Sequence, residues 1–152
     1  MTNIAVLVSG GGTNLQALID AEREGKIPGG RIVRVISSNP EAYALERAAA
    51  AGIASTVVRR RHYADAASFD AALLAALEDC QAELVVLAGF LSILGEAVIA
   101  RYRNRILNVH PSLIPAFCGK GFYGLKVHQA ALEYGVKVTG ATVHFVNEIP
   151  DG

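Results

Sequence analysis

The stretch Ile4-Ala5-Val6-Leu7-Val8-Ser9-Gly10-Gly11-Gly12-Thr13-Asn14-Leu15-Gln16 decides the fold. Five apolar residues read as a buried strand, three glycines break it, and a helix is expected from about Thr13 to Arg23. Outward from this unit the pattern repeats. Residues 32–36, 53–58, 84–87 and 106–109 are short β-branched or aliphatic runs, and between them lie helical segments at about 42–51, 65–79 and 95–102. Leu84-Val85-Val86-Leu87 is apolar without interruption, as in a strand covered on both faces. Strand and helix alternating at this spacing predict an α/β domain with a mostly parallel sheet, flanked by helices and joined by right-handed crossovers. Residues 136–146 differ. Val136, Val138, Gly140, Thr142 and His144 alternate with Lys137, Thr139, Ala141, Val143 and Phe145, a period of two that suits a late edge strand. Residues 1–152 read as one domain, without repeats or a linker.

The glycine loop carries the first chemical signal. Glycines after a strand let backbone N–H groups turn inward, and the following helix start adds a partial positive charge, so the loop suits a phosphate. Thr13 or Asn14 is expected to cap the helix or to touch the anion. A tight turn without a ligand is the plainer alternative. A dinucleotide site fits less well than a monophosphate. Leu15 stands where that motif wants its third glycine, and Ser37-Ser38-Asn39 ends the second strand without a ribose-binding carboxylate.

Composition narrows the classes. The 152 residues carry 14 basic and 14 acidic side chains, so no overall field draws nucleic acid or an anionic membrane. At 52% hydrophobic the chain is a folded globular one. The start lacks the basic residues and length of a signal peptide, and no apolar run would span a bilayer. Cys80 and Cys118 have neither disulfide nor metal-ligand spacing and read as reduced thiols, which points to the cytoplasm.

The second chemical signal is Leu107-Asn108-Val109-His110-Pro111-Ser112-Leu113-Ile114-Pro115, at the end of an expected parallel strand, where open α/β sheets place their ligands. Alternation puts Asn108 and His110 on one face. An amide and an imidazole then aim at one acceptor oxygen, and Pro111 ends the pairing. On these residues alone, a capped strand end is an equal reading. His62 and His128 read as solvent-facing.

Four segments in register, namely Ser9 to Gln16, Leu87-Ala88-Gly89-Phe90, Leu107 to Pro115 and His144-Phe145-Val146 through Asp151, resemble the glycinamide ribonucleotide formyltransferases over nearly the whole chain. The resemblance implies a Rossmann-like formyltransferase fold. It also implies formyl transfer from 10-formyltetrahydrofolate, as cosubstrate, to the amine of 5'-phosphoribosylglycinamide, without a metal. Asn108, His110 and Asp151 match the family's catalytic trio. Gly12, Thr13, Asn14, Leu15 and Gln16 match its phosphate site. Leu91, Ser92, Ile93 and Leu94, with Asn108, match part of its folate pocket, and Asn147, Glu148, Ile149, Pro150 and Asp151 match the loop lining the pterin. Thr142 and His144 match supports of the catalytic pair. Partners would be small molecules only, in a monomer or homodimer. The rivals are methionyl-tRNA formyltransferase, formyltetrahydrofolate deformylase, and a non-catalytic phosphate-binding module.

Three departures accompany the resemblance. Residues 116–124 read as a longer glycine-bearing loop in which Lys120 could meet an anion, a plain solvated loop being the favoured reading. Ala66 or Ala67 stands where some relatives place a folate-contacting arginine, and Arg59-Arg60-Arg61 could replace it or simply be solvated. Pro150-Asp151-Gly152 is turn chemistry that should lead onward. The expectation is a chain lacking the family's C-terminal elements, with weak turnover or none.

Overall fold

The computed structural model describes residues 1–110 and 142–145, with side chains described for 1–109. Its strands are β1 (Thr2–Val8), β2 (Gly30–Ser37), β3 (Ser55–Val57), β4 (Leu84–Ala88), β5 (Ile106–His110) and β6 (Thr142–Phe145). Its helices are α1 (Thr13–Arg23), α2 (Ala44–Ala50), α3 (Ala66–Asp79) and α4 (Glu96–Arg101), with one 3₁₀ turn at Arg60–His62. Among the described residues the expected strands and helices form. The sheet order is β3-β2-β1-β4-β5-β6. The first five strands are parallel, and β6 pairs antiparallel with β5. The rest of the predicted 136–146 strand lies outside the described residues. Among the described residues no helix is long and apolar enough to cross a membrane.

Side-chain alternation along the strands sorts the core into two layers. Ile4, Val6 and Val8 pack with Leu15, Leu18 and Ile19 of α1 and Ala44 and Ala48 of α2. Ala5 and Leu7 face the other way, with Phe69, Leu73 and Leu77 of α3 and Val98 and Ile99 of α4. β1 is thus buried on both faces, which is why it is written without a polar residue from Ile4 to Val8. Tyr102 is fully buried, and its hydroxyl donates to the Ala82 carbonyl at 3.0 Å.

Connections after β1 and β4 diverge to opposite sides of the sheet. This is the point in an open α/β sheet where a crevice forms beyond the carboxyl ends of the strands. The glycine loop leaves the end of β1, and Gly89, at φ 71°, leaves the end of β4.

Candidate active site

α1 begins in an unusual way. Its N-cap is Gly12 at φ 79° and ψ 25°, and no side chain caps the helix. The expectation that Thr13 or Asn14 would do so is therefore corrected: both already stand within the first turn. Only glycine suits this left-handed backbone here, because a Cβ on Gly12 would stand 2.7 Å from the Ala44 Cβ. Gln16 N is the first amide to find an intrahelical acceptor, the Gly12 carbonyl at 2.8 Å. The amides of Thr13, Asn14 and Leu15 have no acceptor within the helix. The first turn also carries no acidic residue. Those amides and the helix dipole therefore favour an anion. They open on a cleft of about 180 Å³ lined by Gly10, Gly11, Gly12, Thr13, Asn14, Ala88 and Gly89.

Ser9 ties the neighbouring strand ends to this loop. Its hydroxyl lies 2.7 Å from the Ser38 hydroxyl after β2 and accepts from Leu91 N, after β4, at 3.0 Å. Asn39 Nδ2 donates to the Ser9 carbonyl at 3.4 Å. Ser37 Oγ in turn donates to the Asn39 carbonyl at 2.6 Å and accepts from Asn39 N at 3.0 Å. The polar residues ending β2 thus hold the loops together.

One strand further along, β5 brings Asn108 to the same end of the sheet. In the parallel register Leu87 pairs with Asn108 and Ala88 with Val109, so Asn108 stands beside the strand whose last residues wall the cleft. Leu107 and Val109 pack in the α1–α2 layer, whereas Ile106 packs in the α3–α4 layer. Alternation assigns half-buried Asn108 to the Ile106 side. In the antiparallel register Asn108 stands opposite His144, and His110 opposite Thr142. The four positions that the resemblance singled out on two distant segments are thus register partners.

A family model described as formyl transferase matches residues 2–152. The chain belongs to the formyl transferase family. It is 43% identical over 152 residues to the phosphoribosylglycinamide formyltransferase of Haemophilus influenzae, covering 100% of this chain and 69% of that protein. It is 41% identical over 150 residues to the Escherichia coli protein of the same name, covering 99% of this chain and 68% of that one. The crystal structure of glycinamide ribonucleotide transformylase 1 from Symbiobacterium toebii superposes with a TM-score of 0.75 at 48% identity, covering 97% of this chain and 66% of that one. The chain thus spans about two thirds of the length of these relatives. The formyl transferase fold read from the sequence is borne out, and these relatives do not favour the tRNA, deformylase or binding-module alternatives.

The structure divides the sequence-predicted residues. Gly12, Thr13 and Asn14 line the cleft. Leu15 does not, since its side chain is fully buried in the core. Gln16 is engaged elsewhere, donating to Asp20 at 3.0 Å and accepting from Arg47 at 3.4 Å. Leu91 and Ile93 are 85% and 86% exposed, so apolar surface is offered at the sheet end, whereas Leu94 turns into the core. Arg59, Arg60 and Arg61 line a separate cleft of about 440 Å³ with Ser38, Asn39, Pro40 and Glu41. His62 is exposed, as read from the sequence. Residues 111–141 and 146–152, which include His128, Asn147, Glu148, Ile149, Pro150, Asp151 and the 116–124 loop, lie outside the described residues.

Sequence reading placed Ser9 in the loop without giving it a role, and missed Arg47 and Asp70. Asp70 is 4% exposed and accepts from Gly95 N, Ala97 N and Val98 N at 2.8, 2.9 and 3.3 Å, capping α4 from α3. An acid beside Phe69 on the buried side of an Ala- and Leu-rich helix was the available signal. Arg47 had no local signal, because its partner Gly11 is 36 residues away.

Proposed function

We propose that this chain transfers a formyl group from 10-formyltetrahydrofolate to the amine of 5'-phosphoribosylglycinamide. The observation that carries the reading is the pairing of an anion-seeking cleft at Gly10–Asn14 with Asn108, one strand beyond its wall, at one end of the sheet. The cleft suits the substrate's phosphate, and the distance across two strands leaves room for a ribose between phosphate and amine. The exposed Leu91 and Ile93 suit the flat apolar surface of a pterin.

In this reading the substrate amine attacks the formyl carbon and gives a tetrahedral species with a developing oxyanion. The Asn108 amide and a protonated His110 donate to that oxygen, where hydrogen bonds gain most as charge appears. Asp151 holds the imidazolium by its charge and passes the amine's proton, directly or through water, toward the folate nitrogen that leaves as the carbon–nitrogen bond breaks. Thr142 and His144 support the pair from the facing strand.

The test is formyl transfer from 10-formyltetrahydrofolate to 5'-phosphoribosylglycinamide, measured on this chain and on its single variants. Asn108→Ala and His110→Ala are each expected to lower kcat by roughly 10²–10³, the usual effect of losing one oxyanion donor. Full activity in either variant would overturn the assignment. Transfer to methionyl-tRNA instead of the ribonucleotide would overturn the substrate.

A further inference from the structure

We infer that Arg47 is a positioning residue of the anion site: its guanidinium holds the Gly11 carbonyl and so turns the Gly11–Gly12 peptide with its N–H toward the cleft, beside the Gly10–Gly11 peptide that Ala44 N holds in the same way. This rests on the reading of that cleft as the substrate's phosphate site. The observations are a set of carbonyl contacts. The Gly10 carbonyl accepts from Ala44 N at 3.0 Å, at the start of α2. The Gly11 carbonyl accepts from Arg47 Nε at 2.7 Å, one turn further along α2. The Gly12 carbonyl accepts from Gln16 N, in α1. Gln16 is itself held, since its side-chain oxygen accepts from Arg47 Nη1 at 3.4 Å.

A trans peptide is planar, with its C=O and N–H pointing opposite ways. Drawing the Gly10 and Gly11 carbonyls toward α2 therefore turns the N–H groups of Gly11 and Gly12 away from it. α2 follows β2, on one side of β1, and the cleft's far wall lies on the other, at Ala88, the last residue of β4, and Gly89 just after it. Away from α2 is toward the cleft. With the unpaired amides at the start of α1, this makes a run of donors such as phosphate sites use.

Glycine leaves the loop free to take other conformations, and neither Gly10 nor Gly11 has anything within 4 Å of where a Cβ would stand. Packing does not hold their peptides, so hydrogen bonds must. Arg47 is suited to this work. It is half-buried, its guanidinium carbon lies 5.0 Å from the centroid of the Tyr43 ring, and its Nε and Nη1 reach two partners at once. Lysine, with one nitrogen, would hold one of them. Arg47 does not line the cleft itself. It acts on the anion through the loop.

The experiment is an NMR titration of the ¹⁵N-labelled protein with inorganic phosphate, paired with calorimetric binding of 5'-phosphoribosylglycinamide and of its dephosphorylated riboside. In the native protein phosphate is expected to shift the amides of Gly11, Gly12, Thr13 and Asn14. In Arg47→Met, whose chain keeps much of the packing, phosphate and ribotide affinity are expected to fall roughly tenfold or more, the usual worth of a charge-assisted hydrogen bond. Riboside affinity is expected to stay unchanged, and Arg47→Lys to recover part of the loss. If phosphate shifts those amides equally and with equal affinity in both proteins, the positioning role is wrong and the phosphate reading stands. If ribotide and riboside weaken alike, Arg47 is merely structural. If phosphate leaves the glycine-loop amides of the native protein unmoved, the phosphate reading itself falls, and this inference with it. Should Arg47→Met not fold, Arg47→Lys and Arg47→Gln are compared in the same way.

Discussion

Among the residues of the glycine loop, space and backbone angle assign different duties. Gly12 combines a positive φ with a close approach to Ala44, so a side chain there meets two obstacles. Forcing a non-glycine residue into the left-handed region costs roughly 1–2 kcal/mol, and overpacking adds about 1–3 kcal/mol. Gly12→Ala is therefore expected to lower stability in urea unfolding by several kcal/mol and to disturb the helix start. Gly10→Ala and Gly11→Ala meet open space, and their stability is expected to change by less than about 1 kcal/mol. Each adds a methyl to residues that line the cleft, however, so phosphate affinity should fall while the unfolding curve barely moves. Equal losses of stability at all three positions would show that the loop is a packed turn and not a site. From sequence, the three glycines look alike. The distinction lies in Ala44 and Arg47, which reach the loop from a helix more than thirty residues away and leave no mark in its local pattern.

At the level of elements, two aspartates set where helices begin, and both follow from chemistry rather than propensity. Asp65 caps α3 in the ordinary way, its side chain accepting from Ser68 N at 2.7 Å. That hydrogen bond, together with one to the Ser68 side chain and the charge of Arg60, outweighs desolvation and lowers the Asp65 pKa from its usual value. A depressed folded-state pKa contributes stability that is present above the unfolded value and lost as pH falls through the folded one. Asp65→Ala should thus lower Tm at pH 7, and the gap between variant and native protein should narrow as the solution is acidified below pH 4. A gap constant with pH would mean that the carboxylate's charge is not what caps the helix. Asp70 caps α4 from a neighbouring helix, and a Cβ on Gly95 would stand 2.6 Å from its carboxyl carbon. Asp70→Asn replaces one acceptor oxygen by a donor facing backbone N–H groups, at a cost of about 1–3 kcal/mol. It should also loosen Leu91-Ser92-Ile93-Leu94, which is held between Ser9 and α4, and, on the proposed reading of that segment as part of the folate pocket, weaken folate binding more than ribonucleotide binding. Period and turn chemistry made the elements themselves legible. α1 begins and ends where the sequence reading put it, and α3 differs only by its cap.

Across the whole molecule, what sequence conveyed was the sheet, and what it withheld was the joinery. Uninterrupted apolar strands imply helices on both faces, and β1 shows why: Ile4 serves one layer and Leu7 the other. Asn108 and His110 stood out as a polar pair at the end of an apolar strand, but on those residues alone a capped strand end was an equal reading, and only the resemblance gave the pair a role. The partners of Ser9, Arg47 and Asp70 were not legible, because each acts on a backbone group far along the chain; periodicity could have marked Asp70 as a buried acid, but not the helix it caps. The two layers also allow a test of whether the sheet behaves as one cooperative unit. Ile4 of β1 packs with α1 and α2, and Ile36 of β2 packs in the α3–α4 layer; both are at most 1% exposed. Ile4→Val and Ile36→Val should each cost about 0.5–1.5 kcal/mol. Lying in different layers, they share no packing cluster, so the double variant should show the sum to within about 0.5 kcal/mol. If one sheet unites the layers, unfolding by urea, followed by far-UV circular dichroism and by amide exchange in α1 and α3, should remain a single transition in every variant. A ligand that binds only the folded cleft then raises the stability of both layers together, by mass action. On the proposed reading of the glycine-loop cleft, phosphate should accordingly protect α3 amides as strongly as α1 amides, although that cleft is lined by the start of α1 and not by α3. Protection confined to α1, or a second transition in Ile36→Val alone, would mean that the α3–α4 layer opens independently of the site.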